Sequence, residues 1–157
     1  MADAHDHPDI HKYVHPPIIA LLYILIAIAL GFLKPIGLPV SRLIGNIGFA
    51  ITCMGFLCGL FAFVEFRKAN TTLDPHGAVA RVVSSGIYRF SRNPIYLGFL
   101  LIVIGLPLYC GSYWGLILAP FFILTMNGLV IEREEAYLEK KFGGTYTAYR
   151  SRVRRWL

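Results

Sequence analysis

The sequence predicts an all-α, polytopic membrane protein of about four transmembrane helices. The last two should form a tight hairpin, followed by a cytoplasmic C-terminal amphipathic helix. Three observations carry this reading. Of the 157 residues, 56% are hydrophobic, and the mean hydropathy is +0.59. Only 15% are charged, against roughly 25% in average soluble domains. The apolar residues gather into runs of helix length, separated by polar or glycine- and proline-rich stretches. One domain, residues 1–157, suits this length: a polar leader (1–16), two spans (17–66), and a loop, hairpin and tail (67–157).

The net charge of +6 does not imply nucleic-acid binding. The positive residues sit beside apolar runs, where membrane orientation and anionic headgroups account for them. Cys53 and Cys58 fall within an apolar helix and Cys110 in a turn. An odd count in that setting predicts no disulfide framework, and no clustered ligand spacing predicts a metal site.

Residues 1–15 hold four histidines, three aspartates and one lysine. That lacks the basic start of a signal peptide, so the first apolar run is expected to remain as an anchor. His5, His7, His11 and His15 match no metal spacing and read as a polar leader. The first span runs from about Pro17 to Leu33, and Lys34 to Pro39 breaks it.

The second span, about Leu43 to Phe66, is long enough to cross a hydrocarbon core of roughly 30 Å. Gly45, Gly48, Thr52, Gly55 and Gly59 recur at steps of three and four, along one helix face. Such a face admits another helix backbone, either within the chain, the reading adopted here, or in a dimer. Glu65 near the exit should pair with a neighbouring base rather than stand alone.

Residues 67–93 form a basic loop with a turn signal around Asp74-Pro75 and a lone His76 that reads as a surface residue. Its end is the densest set of chemical groups in the chain. Tyr88, Arg92, Asn93 and Tyr96 lie within nine residues. Pro94 suits a first helical turn, and Asn93 before it is placed to cap. A helix starting there aims unpaired N–H groups and a positive dipole end at whatever binds, favouring a carboxylate or phosphate.

Ile95–Tyr109 and Tyr113–Ile131 follow as antiparallel arms joined at residues 110–112, with Gly105-Leu106-Pro107 weakening the end of the first. Gly111, Gly115 and Ala119 offer the second arm a small contact face. Five Lys/Arg in 67–93 and seven from Glu132 onward, against two in 34–42 and none in 110–112, predict that loop, tail and N-terminus are all cytoplasmic. Beyond the hairpin, helical phase puts Asn127 and Glu134 on one face with Glu135 adjacent. Gly143-Gly144 should end that helix, and Tyr146–Trp156 reads as a short amphipathic segment with arginines for headgroups.

Gly86, Tyr88, Arg92, Asn93, Pro94, Tyr96 and Gly98, followed after a hairpin by Glu134, Glu135, Leu138, Phe142, Gly143, Tyr146, Tyr149 and Val153, form a pattern. It resembles the isoprenylcysteine carboxyl methyltransferase family, within a broader group that includes phospholipid methyltransferases. The resemblance covers about residues 66–157. It implies S-adenosylmethionine as cofactor, held at the cytosolic membrane face between the loop and the post-hairpin helix. It also implies cofactor contacts at Ala80, Arg81, Val82, Val83, Tyr88, Asn93, Pro94, Ile95, Tyr96 and Glu134. Arg92 and the helix start suit the methionine carboxylate. The candidate catalytic residues are Glu135, Tyr88 and Arg92; Glu135, Tyr88 and Glu65 are the candidates for removing a proton from an amine acceptor.

Two positions depart from the family pattern. Many members have His where this chain has Asn93, which removes a histidine base there. Prenylcysteine-methylating members have an arginine one turn before the acidic pair, where this chain has Val130. The implied reaction is methyl transfer to a lipophilic small molecule or lipid, entering from the bilayer between the second span and the hairpin. The rivals are an NADPH-dependent enzyme like sterol reductases, which share an Arg-x-Pro-x-Tyr element, and a non-enzymatic membrane module assembled through its glycine face. No residue fixes the oligomeric state.

Overall fold

A computed structural model describes residues 15–37, 39–69 and 81–157; the leader histidines His5, His7 and His11, and the loop stretch holding Asp74, Pro75, His76 and Ala80, lie outside them. The described residues form six α-helices and no strands. They are α1 (Pro16–Leu33), α2 (Arg42–Lys68), α3 (Pro94–Tyr109), α4 (Trp114–Met126), α5 (Glu132–Phe142) and α6 (Gly144–Arg150). A 3-10 turn, Gly86–Arg89, precedes α3, and a π-helical turn, Asn127–Ile131, joins α4 to α5 without a break.

Among the described residues, three helical stretches are long and apolar enough to cross a membrane: Pro16–Leu33, Arg42–Lys68 and Trp114–Phe142. The shorter α3, 16 residues or about 24 Å, is the central helix, in contact with α1, α2 and α4. It runs on through Pro107 to Tyr109. The expected weakening at Gly105–Pro107 therefore does not end it.

The α2–α3 contact explains the glycine face. A Cβ on Gly48 would stand 2.7 Å from the Gly105 carbonyl oxygen, and one on Gly55 would stand 2.7 Å from that of Gly98. The reciprocal pairs are as tight, so the two backbones touch, and the face serves packing within the chain. This closeness shuts the expected path for an acceptor between the second span and the hairpin at those levels. Beyond it, nothing lies within 4 Å of a Cβ placed on Gly59.

Polar ties fix the other helices. The hydroxyls of Tyr23 and Thr125 share a 2.8 Å hydrogen bond between α1 and α4, and Ser112 Oγ donates to the Ala27 carbonyl at 2.7 Å. In the low dielectric of a membrane such satisfied hydroxyls specify which helices meet. The apolar core lies between α1, α3 and α4, around Ile24, Val103, Phe122, Met126 and Val130. A second cluster sits at the other end of α3. There Ala62 of α2 meets Tyr88, Tyr146 and Tyr149.

Candidate active site

A glycine, a proline and a set of hydrogen bonds shape the region around the start of α3. Gly86 adopts φ +55, and a Cβ there would lie 2.5 Å from Glu65 Cδ, so any other residue would be strained and would displace the Glu65 side chain. Glu65 accepts a 2.6 Å bond from Ser85 Oγ and pairs with Lys68 Nζ at 2.9 Å, as its sequence position suggested. The turn thus rests on the end of α2 and delivers Tyr88 inward. Tyr88 is buried, stacks edge-on against Phe66 at 5.4 Å, and its carbonyl accepts a 2.7 Å bond from the Tyr149 hydroxyl. Burial first, then the nearby Tyr149 and Glu134, push the Tyr88 hydroxyl far above its ordinary value. It therefore stays protonated across the physiological range, which does not suit it to taking a proton.

Pro94 fills the first position of α3 and is fully buried. Asn93 occupies the cap position, yet its side chain does not cap. Its Nδ2 donates instead to the Arg155 carbonyl at 3.0 Å, while its own N–H donates to Ser91 Oγ at 3.1 Å. The expectation of an Asn93 cap is thus corrected: a carbonyl of the chain's tail competes successfully for the amide. The first N–H groups of α3 receive no side-chain cap from Asn93 and keep their preference for an anion.

The acidic pair divides its work. Tyr96, one turn into α3, donates a 2.6 Å bond to Glu134 Oε1. Glu135 is 5% exposed. Arg92 Nη2 lies 2.9 Å from its Oε1, and Arg155 reaches it with Nε at 3.2 Å and Nη2 at 2.7 Å. Arg92 and Glu135 side chains are 9% and 7% exposed. Two atoms of Arg92, Nε and Nη1, are buried without a hydrogen-bond partner among the described residues. Such donors are costly in a folded protein unless an acceptor oxygen, from water or a ligand, meets them.

Other expected contacts are distributed as follows. Val82, Val83 and Ile95 pack against the tyrosine cluster, partly buried. Arg81 is exposed and reaches the Lys68 carbonyl at 3.4 Å. Beside the turn, Leu60, Phe61, Val64, Ile87 and Phe90 line an apolar groove of about 510 Å³, with Glu65, Lys68 and Gly86 at its edge.

Residues 43–145 match the phospholipid methyltransferase family. The chain belongs to that family. A membrane methyltransferase is therefore an apt description of a chain whose described residues include three helices long and apolar enough to span a bilayer. It is 26% identical over 113 residues to Protein-S-isoprenylcysteine O-methyltransferase of Schizosaccharomyces pombe, covering 65% of this chain and 46% of that one. It is 44% identical over 63 residues to an uncharacterised protein of Haemophilus influenzae, 40% of this chain and all of that one. No solved structure matches.

In this family member the tail makes contacts with the candidate site that sequence reasoning passed over. Arg92 N–H donates to the Arg154 carbonyl at 3.0 Å, Ser91 Oγ to that of Arg155 at 3.3 Å, and Trp156 Nε1 to Asn127 Oδ1 at 3.1 Å. The helix expected over Tyr146–Trp156 stops at Arg150. Beyond it the chain lies along Ser91–Asn93 instead of presenting all its arginines to headgroups. The π turn explains a second difference. One extra residue per turn advances the phase by about 100°, so the face of Asn127 is shared with Glu135 and not Glu134. Asn127 and Glu135 accordingly receive Trp156 and Arg155, adjacent in the tail.

Proposed function

We propose that this membrane methyltransferase uses S-adenosylmethionine to methylate a lipophilic small molecule or lipid at the cytoplasmic face. One observation carries the reading. The two halves of the motif meet through Tyr96–Glu134 and Arg92–Glu135, while buried Arg92 retains two donors without partners. That fits an amino-acid carboxylate held by Arg92 beside the uncapped start of α3. Glu134 is suited to the amino group or ribose, and the aromatic faces of Tyr88 and Tyr96 to adenine and the sulfonium cation. When bound, the cofactor supplies an electrophilic methyl carbon for a single in-line displacement, with a neutral thioether leaving.

The chain's own task is then proximity and alignment. Glu135, bound to both arginines, is suited to positioning rather than to taking a proton. Tyr88 stays protonated. A carboxylate or thiolate acceptor would need no base from either. The apolar groove by Ile87 and Phe90 supports an acceptor with a hydrocarbon portion. Four crossings, with α3 as the short fourth and both termini cytoplasmic, fit the charge distribution. The hydrogen bonds of Arg92 N–H to the Arg154 carbonyl and of the Tyr149 hydroxyl to the Tyr88 carbonyl support loop and tail on one side.

Titration calorimetry of detergent-purified protein with S-adenosylmethionine tests this, with Glu134→Ala as control and NADPH as the competing cofactor class. Micromolar binding weakened in the variant is expected. Binding of NADPH in place of the methyl donor would replace the reading with the reductase. Binding of neither, by folded protein, would leave the non-enzymatic module.

A further inference from the structure

We propose that Arg155, in the tail beyond α6, is a positioning residue that holds Arg92 ready for a carboxylate by engaging Glu135. The inference rests on the cofactor assignment above and goes on to a residue outside the family motif.

Glu135 is a buried carboxylate facing two arginines. Arg155 binds both its oxygens, through Nε at 3.2 Å and Nη2 at 2.7 Å, whereas Arg92 uses Nη2 alone, at 2.9 Å. A buried carboxylate with one arginine partner tends toward a two-pronged pairing. Arg155 occupies the second oxygen and leaves Arg92 with its Nε and Nη1 uncommitted. It also sets the local charge. The Arg92–Glu135 pair alone is neutral, and a second guanidinium on Glu135 shifts the local balance toward holding an anion. Glu132 lies 3.6 Å from Arg155 Nη1 but is 59% exposed, so solvent screens its share.

The backbone reinforces the arrangement. The Arg155 carbonyl accepts from Ser91 Oγ and Asn93 Nδ2, on either side of Arg92, and the Arg154 carbonyl accepts from the Arg92 N–H. The tail therefore fixes both the main chain and the charge state around Arg92. Trp156, bonded to Asn127, anchors the next position.

The test is titration calorimetry of full-length, detergent-purified protein with two probes: S-adenosylmethionine and its decarboxylated form, which lacks the carboxylate. Arg155→Ala is expected to weaken the first by about tenfold and leave the second unchanged. Arg155→Lys, which keeps the charge but loses the fork, should fall between. Arg155→Gln keeps most of the stem and carries the same test should alanine not fold. Equal weakening of both probes would mean a merely structural role and overturn the proposal, as would no weakening of either. Those failures occur in a protein whose wild type binds the methyl donor. Wild type that binds neither probe overturns the cofactor assignment, and this proposal with it.

Discussion

The Tyr96 hydroxyl donates a 2.6 Å hydrogen bond to Glu134 Oε1, joining α3 to α5 across 38 residues of sequence. The bond to a carboxylate is charge-assisted, and it is short, as such bonds are. It also fixes the carboxylate that we assign to the cofactor. Tyr96→Phe keeps the ring and removes only the donor. We expect a stability loss of about 1.5–3 kcal/mol and weaker S-adenosylmethionine binding, measured by thermal unfolding and calorimetry in one detergent. Unchanged binding with lowered stability would confine Tyr96 to a structural role.

Tyr149 acts on the backbone of the motif rather than on its side chains. Its hydroxyl satisfies the buried carbonyl of Tyr88 at 2.7 Å. Tyr149→Phe leaves that carbonyl without its tyrosine partner inside an apolar cluster, at a cost of about 1–3 kcal/mol. The unfolding midpoint should drop accordingly, with secondary structure intact by circular dichroism. A midpoint equal to that of wild type would show that water or another donor replaces the hydroxyl.

These contacts mark where sequence reading succeeded and where it stopped. The spans were legible because apolar length and breakers such as Lys34–Pro39 are local signals. The α2 glycines were legible because spacings of three and four put small residues on one face. Gly86, Arg92, Tyr96 and Glu134 were legible through a family pattern, although nothing local predicts that Tyr96 reaches Glu134. Three features had no local signal. The π turn is spelled Asn127-Gly128-Leu129-Val130-Ile131, a sequence equally suited to ordinary helix. The Asn93 side chain chose a carbonyl 62 residues away over its own helix. Arg155 looked like one of several headgroup arginines, and only the return of the tail reveals its buried partner.

The α2–α3 seam yields a paired expectation. In Gly105→Ala the new Cβ would meet the Gly48 carbonyl oxygen at 2.6 Å, and in Gly98→Ala that of Gly55 at 2.7 Å. Backbone atoms cannot turn aside, so the helices must separate and lose contacts along the seam. We expect each change to cost about 1–3 kcal/mol. Gly59→Ala, on the glycine face of the partner helix α2, has nothing within 4 Å, and should be neutral or stabilising by up to about 1 kcal/mol. Thermal unfolding of the three variants side by side checks this. Equal effects at Gly59 and Gly105 would refute the seam.

The buried tyrosines predict how stability ends at high pH. Tyr146 is pushed up from 10.0 to about 12, by burial first and by nearby Glu135 second, with Arg92 opposing. Tyr88 and Tyr149 move upward as well, again chiefly through burial. In the unfolded chain the hydroxyl ionises at its ordinary value, so the unfolded state gains free energy by losing a proton that the folded state retains. The contribution of Tyr146 is thus fully present below pH 10.0 and is lost as pH rises toward about 12. Unfolding followed against pH should show wild-type stability falling across that window, and tyrosinate absorbance of the folded protein should lag behind that of the denatured chain. Tyr146→Phe removes one of the three groups and should make the fall shallower. An identical slope in the variant would mean that Tyr146 ionises freely in the fold, and would argue against its burial beneath the loop that carries Arg92.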